Sequence, residues 1–124
     1  KGGTPYILHC LTVMEAVKSL GDEVMIAAVL HDLIEDTDWT AEILLDEGFK
    51  PHTVSIIVLL THPNNEPYTD YIMRISVSPT ARAIKMADLR HNSDIHRMKG
   101  LRPKDLERIE KYHTAYAFLR DVKD

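Results

Sequence analysis

A chain of 124 residues is long enough to bury one core but not two, and 44% hydrophobic against 27% charged residues excludes a disordered one. The longest apolar run, Val24 to Leu30, is far too short to span a bilayer, so no membrane partner is expected. The net charge of −4 comes without any basic run interleaved with aromatics, which argues against a nucleic-acid polymer as partner.

Helix punctuation recurs along the chain. Thr4-Pro5 opens a first helix that Gly21 closes after Leu20, and Asp22 caps a second from about Glu23. Thr40 starts a short third helix that Gly48 stops. Pro51 opens a fourth, whose apolar residues Val54 to Leu60 end near Pro63. After the turn-rich "THPNNEPYTD", Tyr71 to Val77 reads as a weaker helix or loop. Ser78-Pro79 begins a long helix through about Met98, and Arg102-Pro103 begins the last. There, Leu106, Ile109, Tyr112 (or His113), Tyr116 and Leu119 keep helical spacing. No alternating pair of runs is joined by a hairpin turn. The expectation is an all-α domain over 1–124 with six or seven helices. The lone Cys10 excludes an internal disulfide and reads as a buried apolar residue. With no export signal in view, the expected location is the cytoplasm.

Chemistry-bearing residues concentrate in three places. In "HDLIEDT", His31 follows Ala27 and Ala28 at helical spacing and points inward, Asp32 is its neighbour, and Glu35 and Asp36 come four residues after each. A single buried histidine is usually a hydrogen-bonded core residue. A buried His-Asp followed by Glu-Asp packs like charges together, which is costly unless a cation or proton compensates. In "IKMADLRHNSDI", Ile84, Asp88, His91 and Ile95 share one helical face. Asp88 there is either a buried acid paired with an arginine or capped by hydroxyls, or a ligand, and Asn92 lies one turn on. His9 in "PYILHCLTV" completes the set. Together His9, His31, Asp32 and Asp88 offer nitrogen and oxygen donors suited to Mn²⁺, Fe²⁺, Zn²⁺ or Mg²⁺. An ion held with open positions binds water, lowers its pKa and offsets phosphate charge, and Glu35 and Asp36 are placed to orient that water and move protons. The charge distribution agrees: residues 1–50 carry three basic and ten acidic side chains, and residues 81–124 carry eleven and seven. An acidic half beside a basic half suits a metal-assisted phosphate site, although solvated helix faces give the same counts.

These motifs, in this order, resemble the metal-binding signature of the HD superfamily of metal-dependent phosphohydrolases. "HDLIEDT" is similar to the H-D-x-x-E-D-T of the RelA/SpoT-type guanosine 3′-diphosphate 5′-diphosphate hydrolases, "KGGTPYILH" to their K-S-G-E-P-Y-I-x-H, and "IKMADLRHN" to their I-K-L-A-D-R-L-H-N. The likeness runs from Lys1 to about Leu119. It implies an HD-type helical bundle with one divalent ion, Mn²⁺ in the hydrolases, on His9, His31, Asp32 and Asp88, and Glu35 and Asp36 as catalytic acids. It further implies that Lys1, Asn92, Arg108 and Tyr112 contact a small nucleotide, from which metal-bound water releases the 3′-pyrophosphate. Family members carry a further helix before the first motif, so the natural N-terminal helix is expected to be missing here.

The departures bear on the substrate more than on the metal. Gly2 replaces a serine, Cys10 stands where proline is common, and Leu89-Arg90 inverts the family's Arg-Leu. Residues 61–75 differ from the hydrolases' G-V-T-K-L region, which leaves a phosphatase or phosphodiesterase acting on another nucleotide as the alternative.

Overall fold

The computed structural model describes residues 6–123. The described chain is all helical, without a strand: α1 (Tyr6–Ala16), α2 (Asp22–Val29), the single turn α3 (Leu33–Asp36), α4 (Ala41–Asp46), α5 (Pro51–Leu60), α6 (Tyr68–Ser76), α7 (Pro79–Asn92) and α8 (Pro103–Arg120). Lys18–Leu20 and Ile95–Arg97 form 3₁₀ turns. None of these helices is long and apolar enough to cross a membrane.

Local chemistry accounts for most boundaries. The Thr40 hydroxyl accepts from Ile43 N–H at 3.2 Å to start α4, and Ser78 does the same for Ala81 N–H at the head of α7. Proline occupies the first turn of α5, α7 and α8, where its missing N–H costs nothing. Gly21 and Gly48 adopt φ of +106° and +98°, a region L side chains avoid, and so separate successive helices.

α7 is the central element, packed against α1, α2, α5, α6 and α8. Val13, Ala28, Leu44, Ile57, Ile75, Ile84 and Leu119 are completely buried in one core, and Cys10 is buried as well. This arrangement brings the second turn of α1, the end of α2 and the last turns of α7 to one place.

Several boundaries differ from expectation. Asp22 is the first residue of α2 and the side-chain-less Gly21 is its cap, so the acid acts only through the helix dipole. α2 stops at Val29, which puts His31 and Asp32 in a break before α3 and not on a continuous helix. The cause is local: the Ala28 carbonyl, which an unbroken helix would offer to Asp32 N–H, instead lies 2.6 Å from His31 Nδ1 and 3.5 Å from His31 N. The weak segment is a full helix from Tyr68. α7 ends at Asn92, six residues before Met98, and Ile95 beyond it is 48% exposed and leaves the buried face. On α8, Leu106 is exposed and its neighbour Asp105 is buried instead, where its carboxylate accepts from Arg102 N–H and Arg108.

Candidate metal centre

Three segments deliver the converging side chains: His9 from α1, His31 and Asp32 from the break after α2, and Asp88 from α7. One donor atom of each lies within 4.8 Å of the others. Asp88 Oδ1 is the common point, 2.7 Å from His9 Nε2 and 3.2 Å from His31 Nε2, and His31 Nε2 is also 3.2 Å from Asp32 Oδ2. Both histidines are 1% exposed and Asp88 4%.

Each candidate ligand has a further partner. His31 Nδ1–H donates to Ala28 O, Lys85 Nζ donates to Asp88 Oδ2 at 2.9 Å, and Tyr6 Oη donates to Asp32. His9 Nδ1 lies 2.7 Å from His91 Nδ1. Asn92 Nδ2 donates to Asp88 Oδ1 at 3.1 Å, and its buried Oδ1 has no hydrogen-bond partner among the described residues. Two nitrogens and two carboxylates closing on one point fit a small divalent cation.

The electrostatics agree with the geometry. Burial pushes Asp88 up, but the Lys85 ammonium and the hydrogen bonds from His31 and His9 hold it well below the usual carboxylate range. Burial pushes His31 down, yet its hydrogen bonds to Asp32 and Asp88 outweigh this and leave it raised to about 10. The paired carboxylates therefore draw positive charge into the centre.

A cavity of about 280 Å³ opens beside these groups. Asp32, Glu35, Asp36 and Asp88 bring negative charge to its wall, and Lys85 and Lys111 bring positive charge. Glu35 accepts a hydrogen bond from the His62 backbone N–H; partial burial and the nearby Asp32 nevertheless push its carboxyl upward. His62, Tyr68 and Tyr71 also line it, with the His62 and Tyr71 rings stacked at 4.4 Å. The buried Tyr68 hydroxyl has no hydrogen-bond partner among the described residues.

Asn92 and Tyr112 also line this cavity. Arg108 does not: it donates to Asp105 at 2.8 Å and lines a separate basic cleft with Lys99, Arg102 and Lys104. Lys1 lies outside the described residues. Sequence reasoning missed Lys85, Tyr6, Lys111 and His62. Lys85 and Tyr6 each sit three residues before a candidate ligand, on the same helical face, a usable signal. Lys111 is next to a residue already singled out, and His62 carried no pattern.

No protein-family model matches the chain. It is 33% identical to a probable GTP pyrophosphokinase of Mycobacterium leprae, a match covering 74% of this chain and 13% of that protein. It is 30% identical to a probable guanosine-3′,5′-bis(diphosphate) 3′-pyrophosphohydrolase of Synechocystis sp., covering 90% of this chain and 16% of that one. The chain thus spans less than a fifth of the length of these curated relatives. A solved structure, described as a metazoan ortholog of SpoT that hydrolyzes ppGpp, superposes with a TM-score of 0.74 at 24% identity, over 95% of this chain and 73% of that one. The chain has the fold of that hydrolase. It is also related in sequence to one segment of the longer enzymes.

Proposed function

We propose that this chain is an HD-type metal-dependent phosphohydrolase that removes the 3′-pyrophosphate of guanosine 3′-diphosphate 5′-diphosphate. The observation that supports it most is the convergence of His9, His31, Asp32 and Asp88 beside Glu35 and Asp36 on one cavity, in a chain whose sequence relatives include named hydrolases of this nucleotide. A divalent ion on the four ligands, Mn²⁺ by resemblance, supplies Lewis acidity at phosphorus and acidifies water. Glu35 and Asp36, at the cavity wall, accept the proton of the attacking water and return one to the leaving group. Lys85 and Lys111 offset phosphate charge, and the Asn92 amide and the Tyr112 ring are placed to contact the nucleotide. Lys1 is assigned to the nucleotide by resemblance alone. Arg108, engaged with Asp105, reaches the ligand only by leaving that partner.

Incubation of Mn²⁺-loaded protein with this nucleotide should yield pyrophosphate and GDP, and Glu35→Gln/Asp36→Asn protein should not. Absence of release across a panel of divalent metals would refute the proposal. One observation favours a different nucleotide as substrate: the wall formed by His62, Tyr68 and Tyr71 comes from the stretch that departs from the hydrolases. A panel of nucleotide mono-, di- and cyclic phosphates separates the two by which phosphate is released.

A further inference from the structure

Given the metal site assigned above, we infer that His91 is a positioning residue that fixes the tautomer of His9 and thereby presents His9 Nε2 to the ion.

The two histidine ligands are held in different ways. His31 Nδ1 faces the Ala28 carbonyl at 2.6 Å. A carbonyl only accepts, so Nδ1 carries a proton, and Nε2, hydrogen-bonded to Asp32 and Asp88, is the nitrogen left to ligate an ion. That lock belongs to the backbone. Among the described residues, no carbonyl is hydrogen-bonded to His9 Nδ1. The atom there is His91 Nδ1, 2.7 Å away, with the two rings nearly parallel at 13° and 4.9 Å between centroids.

Only one tautomer of His9 can ligate through Nε2, the one protonated at Nδ1. That proton must be donated, and His91 Nδ1 is the acceptor in reach. His91 therefore carries its own proton on Nε2. Its place on α7 makes this possible: it follows Asp88 by three residues, so one helical face supplies both a ligand and the group that orients a ligand from α1. Were His91 unable to accept, His9 would lose the bond that favours its ligating form. Outer groups of this kind are worth about 10- to 100-fold in metal affinity.

The test uses the whole chain with Mn²⁺ alone, followed by the electron paramagnetic resonance signal of free aqueous Mn²⁺. His91→Leu should bind Mn²⁺ about 10- to 100-fold more weakly than the parent. His91→Asn, whose Oδ1 falls near the position of Nδ1 and accepts, should keep most of the affinity. On the diamagnetic Zn²⁺ form, ¹⁵N NMR should show His9 protonated at Nδ1 in the parent and in His91→Asn. Parent-like affinity in His91→Leu, an equal loss in both variants, or a His9 proton on Nε2 in the parent would each overturn the inference. The parent NMR measurement decides the matter even if His91→Leu fails to fold. Affinity is read without substrate, so protein that binds Mn²⁺ but releases no pyrophosphate counts against the proposed reaction and not against this role.

Discussion

Glu35 shows how far a single residue's surroundings can be turned into a prediction. Partial burial, with Asp32 close by, raises its pKa, and the hydrogen bond from His62 N–H offsets this only in part. A raised pKa means that the carboxyl stays protonated to a higher pH than an ordinary glutamic acid, whose value is about 4.3. As a proton acceptor Glu35 works only when ionised, so activity should fall as pH drops through a midpoint above that value. Replacement by Gln should lower kcat/KM by about 10²- to 10⁴-fold and remove this acid limb from the pH–rate profile. An unchanged limb in the variant would assign the titration to another group. The charge-bearing residues of this site were legible in the sequence because unlike chemistry interrupts apolar runs: His9 among Ile7, Leu8 and Leu11, and Asp88 four after Ile84. Tyr6 and Lys85 were within reach by the same helical spacing. His62 was not, because its main-chain N–H meets Glu35 across a turn that no periodicity describes.

Among the helices, those that sequence punctuation marks are the ones whose caps are ordinary: Thr40 with Gly48, Pro51, and Ser78-Pro79. The break between α2 and α3 was hidden because it turns on one carbonyl. Histidine is not a usual capping residue, yet His31 takes the Ala28 oxygen, ends the helix and with the same bond fixes which ring nitrogen faces the centre. The 61–67 connection was unreadable for a related reason. It is held by Arg74 on α6, which reaches back to the Glu66 carboxylate at 2.8 and 3.0 Å and to the carbonyls of Leu59 and Thr61. One guanidinium therefore sets the path of the loop that places His62 against Glu35. Arg74→Ala should destabilise the protein by about 1–3 kcal/mol, seen as a lower urea midpoint. Its larger effect should be on turnover, because the loop no longer holds the Glu35 contact, and limited proteolysis should cut between 61 and 67. Arg74→Lys keeps the charge without the fork and should resemble Ala. Full activity in Arg74→Ala would show that the loop holds its course unaided.

Across the whole molecule the candidate ligands are far apart in sequence, from residue 9 to residue 88, and meet only because α7 packs against both α1 and α2. Such a site exists in the folded chain and not in the unfolded one. Ion binding is then linked to folding, and at 100 times its dissociation constant an ion adds about 2.7 kcal/mol of stability. For a chain of this size that corresponds to a rise in Tm of roughly 10 °C. Addition of Mn²⁺ to chelator-treated protein should give that rise, and EDTA should reverse it. Asp88→Asn should abolish the shift, since Asp88 Oδ1 is the point on which both histidines close. It should also lower the metal-free Tm, because Lys85 then keeps a buried charge without its carboxylate partner. The two effects are separable by scanning each protein with and without the ion. A Mn²⁺-dependent rise that survives Asp88→Asn would locate the binding ion elsewhere on the molecule. A parent with no rise at all would mean that these four side chains hold their places through hydrogen bonds alone.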